Sequence, residues 1–350
     1  MNIALITGSC GLVGSESSIF FSKKKFKIFG IDNNTRKFFF GKDGDIGWIK
    51  KNLKKNIPNY THLNIDIRNF SALKNIFSKN RKNIKVIIHA AAQPSHDWAK
   101  NEPFIDFDIN AKGTLNLLEL TKRYCPNAPF IFMSTNKVYG DNPNKLPLIE
   151  RKKRWEIKKN HRYNSGIDET MSIDNCTHSF FGTSKSYADL IVQEYGKNVG
   201  LKTVCFRAGC ITGPNHSGAK LHGFLSYLVK ASLKKKSYSL IGYKGKQVRD
   251  NIHSHDLVSC FWEYYKKPRK GEVYNTGGGR FSNCSIMEAL DLVEKFKKIK
   301  IKRKILGKNR IGDHIWYVTS MKKFKKHYPN WKQKYSTKKI LKELIDVFSA

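Results

Sequence analysis

The chain has 350 residues, enough to bury a full core as one large α/β unit or as two lobes. Its formal net charge is +37, yet only 13 of the 65 basic residues are Arg, and Lys-Lys pairs recur along the chain. That pattern reads as a solvated lysine surface favouring polyanionic ligands such as a nucleotide diphosphate, rather than as a nucleic-acid footprint, which should form a patch or stripe.

Seven cysteines, an odd number without a C-x-x-C pair, argue against a disulfide framework and against a metal site, and suggest free thiols in a reducing compartment. No apolar run approaches the roughly 20 residues of a membrane span. A strand pattern begins at Ile3, so no signal peptide is expected and the expected location is cytoplasmic.

Residues 3–6 predict a short strand, followed by Thr7-Gly8-Ser-Cys-Gly11-Leu12-Val13-Gly14 and a helical pattern to about Phe21. Strand, glycine turn and helix in that order are the context of a dinucleotide fingerprint. Gly8 permits the tight turn, Gly11 admits a pyrophosphate, and Gly14 allows the helix to lie close to the strand. A second strand, Lys27–Ile31, ends at Asp32 and Asn33. A carboxylate about twenty residues past the glycines accepts bonds from the adenosine ribose and repels a 2′-phosphate, which favours NAD over NADP even with Arg36 nearby. Residues 35–56 read as an irregular, Lys/Gly-rich insertion.

Tyr60–Asp66 predicts the third strand, with Asp66 suited to cap the next helix. Val86–His89 is a buried strand running into Ala90-Ala91-Ala92-Gln-Pro-Ser-His96, a loop whose small residues let a cofactor approach. A helix is expected over about 104–124, containing Asn110. Phe130–Met133 leads into Ser134-Thr135-Asn136-Lys137-Val-Tyr139-Gly140, and 141–177 is a long polar excursion. Over 178–199, Ala188, Ile191, Val192, Tyr195 and Val199 recur at helical spacing. A strand at Thr203–Phe206 follows, and from about 211 the elements shorten. Arg249 and Arg310 each stand alone amid small polar residues, equally suited to a bidentate grip on phosphate or to pairing with an Asp. The expected architecture is a doubly wound parallel sheet of Rossmann type over 1–210. A smaller substrate lobe covers 211–350, with returns to the first domain near 248–275.

The glycine turn, Asp32, Asn110, the Ser134-Thr135 strand end, the Lys185 helix and Arg249-Asp250 together resemble the extended short-chain dehydrogenase/reductases that act on nucleotide sugars. Within them, Ser-Thr-Asn-Lys-Val-Tyr-Gly-Asp (134–141) and Gly-Lys-Gln-Val-Arg-Asp (245–250) resemble the 2-epimerases of CDP-linked deoxyhexoses, the tyvelose or paratose type of lipopolysaccharide O-antigen synthesis. Dehydratases of the family carry Asp-Glu where this chain has Asn136-Lys137, and lack of that acid and base disfavours water elimination.

The resemblance implies a tightly held NAD, a 2-keto intermediate and return of the hydride to the opposite face of C2. It implies cofactor contacts from Thr7, Gly8, Gly11, Leu12, Val13, Gly14, Asp32, Asn33, Asp66, Ile67, Ala90, Ala91, Ala92, Asn110 and Lys185. Ser134 or Thr135 would bond the reacting hydroxyl, and Asn136, His216, Arg249 and Arg310 would contact the substrate. It also implies a homodimer or homotetramer built on the 104–124 and 181–199 helices. The alternatives are 4-epimerisation or reduction of a nucleotide sugar, and a catalytically silent NAD-binding scaffold.

One residue departs from the pattern. Phe181-Gly-Thr-Ser-Lys185 has the spacing of the family's Tyr-x-x-x-Lys element, in which i and i+4 share a helix face, but the phenol is absent. His96 is the first substitute base by virtue of its ordinary pKa, followed by Tyr187, Lys137, His178 and Lys185 itself.

Overall fold

The computed structural model describes residues 1–216, 223–235, 237–306 and 312–349; Arg310 falls outside them. The chain divides into two compact units. The first comprises Met1–Val138, Phe180–Arg207 and Val258–Tyr274, and the second Tyr139–Ser179, Ala208–Leu257 and Asn275–Ala350.

The first unit carries the expected sheet. Strands β1 (Ile3–Thr7), β2 (Lys27–Ile31), β3 (Tyr60–Leu63), β4 (Ile84–His89) and β5 (Phe130–Thr135) run in the order β5-β4-β1-β2-β3, and Thr203–Ala208 and Glu272–Thr276 extend it beyond β5 to seven strands. The pairs β1–β2, β2–β3, β1–β4 and β4–β5 are parallel. All five residues of β1 are buried, as expected for a strand covered on both faces. The order reverses at β1, so the crevice at its carboxyl end is the switch point where ligands of such sheets bind. Helix α1 (Leu12–Lys23) leads from that end.

The segment expected to be irregular is not. It forms α2 (Thr35–Phe40), a single 3-10 turn and α3 (Gly47–Asn56). Ile49 and Leu53, four apart, are the buried residues of α3; its lysines hid that stripe in the sequence. Asp66 does not cap α4 (Phe70–Asn80): the Asn69 side chain accepts from the Ala72 amide at 3.0 Å. Asp66 is instead held by Arg68, at 2.7 and 3.0 Å, and by Asn33 at 3.1 Å. His96, expected in a loop, is the first residue of α5 (His96–Asn101), capped by Ser95. The helix expected over 104–124 is α6 (Pro103–Phe107) and α7 (Gly113–Tyr124), joined by a π turn at Asp108–Lys112. Helix α8 is Ser179–Lys197.

In the second unit, Val248–His253 pairs with Asn283–Ser285, Trp316–Tyr317 and Cys210–Thr212. A hydrophobic cluster there includes Leu225, Leu240, Leu290 and Leu341. Residues 139–179, which the sequence reading placed with the first domain, share the second unit's contacts. His314 Nε2 lies 2.8 Å from the Gly140 carbonyl, and Ile167 bridges to Thr319. Leu148–Glu150 and Trp155–Ile157 form an antiparallel pair within that excursion. All seven cysteines are free thiols. Among the described residues no helix is long and apolar enough to cross a membrane.

Candidate active site

The glycine turn follows directly from its residues. Gly8 has φ +66°, and a Cβ there would lie 2.7 Å from the Ala91 nitrogen; a Cβ on Gly14 would lie 2.0 Å from the Gly8 carbonyl oxygen. Only glycine permits this close passage of α1 past β1 and β4. Gly11 is the N-cap of α1 and offers no side-chain cap, so the amides of the first turn at Leu12 and Val13 suit an anion without a capping side chain to compete. At the end of β2, Asp32 accepts from the Cys10 amide at 2.9 Å and the Asn34 amide at 2.8 Å. Burial pushes its carboxyl above the usual range, against the pull of those two amides. A half-buried carboxylate beside a helix N-terminus without a side-chain cap fits the ribose and pyrophosphate of NAD.

Behind the turn, a chain of hydroxyls ties three elements together. His89 Nδ1 is 2.7 Å from Thr7 Oγ1, and Nε2 is 2.9 Å from Thr114 Oγ1 on α7. Thr114 donates to the Asn110 carbonyl at 2.6 Å, and Thr7 Oγ1 accepts from the Ala91 amide at 3.3 Å. Thr114 spends its one proton on Asn110, so His89 donates from Nε2, and as a neutral ring it accepts at Nδ1 from Thr7. Burial holds its pKa well below the ordinary value, with Lys185 adding to the shift. Thr7 is thereby a positioning group for the Ala90-Ala91-Ala92 loop. Asn110, in the π turn, acts likewise: its amide nitrogen reaches the Gln93 carbonyl, Asp106 and Ser184 of α8 at 3.0–3.1 Å, and its oxygen accepts from the Gln93 amide at 2.9 Å. Ile67 packs against Gly113 of α7.

At the end of β5 the two hydroxyls part company. Ser134 is buried and donates to Asp189 at 2.5 Å, where Arg207 also binds through Nε at 3.0 Å and Nη2 at 2.6 Å. Thr135, half-buried, accepts from the Lys137 amide at 3.2 Å, and among the described residues its own proton stays available to donate. The strand-end hydroxyl left for a ligand is Thr135's, and Asn136 beside it is buried. The sequence reading passed over Asp189, although its place four residues after Lys185 puts both on one helix face.

Lys185 is buried; its Nζ donates to the Met133 carbonyl at 2.9 Å and lies 4.1 Å from the Phe132 ring centre. Burial pushes its pKa down to about 8, opposed by Asp189, Cys205 and Asp106. Phe181 is buried one turn before it, and the His96 ring meets the Phe181 ring edge-on with centres 4.8 Å apart. The fold thus brings an imidazole to the position of the missing phenol. Tyr187 is turned outward against Phe107, with ring centres 5.8 Å apart. His178, in the second unit, has Nε2 3.6 Å from Cys176 Sγ.

In the second unit Arg249 pairs with Asp313 and donates to the Val248 carbonyl at 2.8 Å. Of the two arrangements open to a lone Arg, the structure contains the Arg–Asp pair. His216 is buried against Gly223, its Nδ1 3.4 Å from Ser226 Oγ.

Residues 4–277 match the model of the NAD dependent epimerase/dehydratase family. CDP-paratose 2-epimerase of Salmonella typhi is 29% identical over 354 residues, covering 98% of both chains. UDP-glucuronate 4-epimerase of Thermodesulfobacterium geofontis is 25% identical, covering 99% of this chain and 96% of its own. Among solved structures, a tyrosine-to-phenylalanine mutant of UDP-glucuronic acid 4-epimerase from Bacillus cereus, in complex with UDP-4-deoxy-4-fluoro-glucuronic acid and NAD, superposes with a TM-score of 0.80 at 22% identity, covering 99% of each chain. The fold, the cofactor cradle and the family match agree, and the chain belongs to the NAD dependent epimerase/dehydratase family, enzymes of the extended short-chain dehydrogenase type.

Proposed function

We propose that the protein is an NAD-dependent epimerase of nucleotide sugars that inverts C2 of a CDP-linked deoxyhexose through a transient 2-keto sugar. The observation that carries this reading is the likeness to a CDP-paratose 2-epimerase along 98% of both chains. The 134–141 and 245–250 motifs, which resemble the same group, support it. What bound NAD supplies is a reversible hydride acceptor, held by the first turn of α1 and Asp32.

In this reading His96, beside Phe181, removes the proton of the C2 hydroxyl as the hydride leaves and returns it when the other face is reduced. Thr135 donates a hydrogen bond to the reacting oxygen. Lys185, cationic below its pKa of about 8, favours the oxyanion that develops there. Arg249 and Arg310 are assigned to the diphosphate; for Arg249 that means exchanging Asp313 for phosphate. A homodimer, or a pair of dimers, would cover the apolar side chains that α6 and α8 expose. Free thiols are consistent with a cytoplasmic location.

The test is NMR of CDP-, UDP-, GDP- and dTDP-sugars incubated with the NAD-loaded protein in D2O. Inversion at C2 of a CDP-deoxyhexose without deuterium at C2 is expected, because the hydride returns from the cofactor. Inversion at C4 of a UDP-sugar would replace this reading with a 4-epimerase, and inertness toward the whole panel would overturn it.

A further inference from the structure

Helix α2 is unusual for what it carries. Phe38, Phe39 and Phe40 follow one another on a six-residue helix; Phe39 and Phe40 are half-buried, Phe39 packing against the core of the first unit, while Phe38 is 69% exposed. Exposing such a ring is costly in water, so its place on a short basic helix calls for a physical reason. Their neighbours supply it. Phe39 and Trp98 of α5 have ring centres 4.5 Å apart, and Phe38 meets the same indole edge-on at 5.7 Å.

The topology gives that contact its meaning. Helix α2 follows β2 and α5 follows β4, and these two strands flank β1 in the sheet. An aromatic contact between them therefore joins the segments that leave the carboxyl ends of the two strands on either side of β1, the strand that ends in the glycine turn. Both ends of the bridge are anchored at the cofactor site. On one side the Asn34 amide donates to Asp32, while the Asn34 side chain bonds Asp45 at 2.9 Å and accepts from the Ile46 amide at 3.2 Å. On the other, α5 begins with His96, which touches Phe181.

We propose that Phe38, Phe39 and Trp98 form a clasp that closes over the dinucleotide and retains it between the two hydride transfers. The proposal rests on the epimerase reading, since an enzyme that returns the hydride it has taken must keep the reduced cofactor until the return step. Escape of the dinucleotide requires the α2–α5 contact to part, so the clasp acts on the dissociation rate.

The experiment measures release of NADH from the loaded protein, without sugar, by adding excess lactate dehydrogenase and pyruvate to consume each released molecule and following the loss of NADH fluorescence. Trp98→Ala should speed release roughly tenfold, and Trp98→Phe, which keeps a ring on Phe39, should stay near the wild-type rate. Equal rates for Trp98→Ala and wild type would overturn the clasp, as would a Trp98→Phe variant as leaky as Trp98→Ala. If Trp98→Ala fails to fold, Phe38→Ala alters only an exposed ring and should still release NADH about threefold faster; an unchanged rate there overturns the proposal. Because no sugar is present, failure of the clasp leaves the substrate assignment standing. A protein inert to every sugar nucleotide but with ring-dependent release would separate the two the other way.

Discussion

Phe181 and His96 stand in edge contact, 4.8 Å between centres, so a hydroxyl added to Phe181 joins a pocket already packed around phenylalanine and the imidazole. Phe181→Tyr is therefore expected to be neutral or harmful to epimerisation. His96→Ala should lower turnover by about 10²–10⁴ if the imidazole moves the proton, and Lys185→Ala should abolish it. A wild type inert toward sugar nucleotides but active as Phe181→Tyr would assign the chain to a silent scaffold instead. A second residue gives a pH signature. Asp250 is fully buried; it accepts from the Thr319 amide at 2.9 Å and the Gly279 amide at 2.8 Å, and burial still pushes its carboxyl up to about 6. The folded state then binds this proton more tightly than the unfolded chain, whose value is near 3.8. Stability from this site is fully present below pH 3.8 and lost as pH rises through 6, on the order of 3 kcal/mol. Asp250→Asn keeps an oxygen for both amides and removes the charge. Its urea midpoint should exceed the wild type's at pH 7.5 and approach it near pH 4.

At the scale of elements, α6 and α8 leave an apolar surface. Phe104 is 87% exposed, and Phe107, Tyr187 and Leu190 are also exposed, with Tyr187 packed on Phe107. Carrying so much apolar area in water is unfavourable for a monomer, and a second copy of the same helices would cover it. Phe104→Glu with Leu190→Glu should shift sedimentation at micromolar concentration from dimer to monomer, with NADH still bound. A wild-type monomer under the same conditions would remove the dimer from the reading. Helix α8 was legible in the sequence from its apolar spacing and the 104–124 helix from the family pattern around Asn110, but the π turn was not. Within that turn Asn110 bonds Asp106, four residues before it, but also Gln93 and Ser184, which lie on separate parts of the chain.

For the whole molecule, the formal net charge of +37 surrounds any bound diphosphate with positive potential. Screening weakens that attraction over a Debye length of roughly 10 Å at 0.1 M salt. Raising NaCl from about 50 to about 300 mM should therefore raise KM for the sugar nucleotide several-fold and leave kcat nearly unchanged. A KM indifferent to salt would assign substrate capture to short-range contacts alone.

Legible along the chain are features that lie within a few residues of one another: the glycine turn after β1, Asp32 at the end of β2, Lys185 four residues after Phe181, and the family these motifs resemble. Such features are set by backbone geometry and by the helix and strand repeats, which contiguous residues display directly. The tertiary structure decided which partner each polar group takes. Ser134 and Thr135 are adjacent and equally able to donate; Asp189, 55 residues from Ser134, claims one and leaves the other. Arg249 suited a phosphate or an aspartate until Asp313 arrived beside it. The sequence could name His96 as a substitute base but not its contact with Phe181, nor that of Trp98 with Phe39, because these segments meet only when the sheet places β2 and β4 on either side of β1 and α8 packs beside them. A side chain's role follows from the neighbours that packing gives it, and those neighbours are chosen across the sheet rather than along the chain.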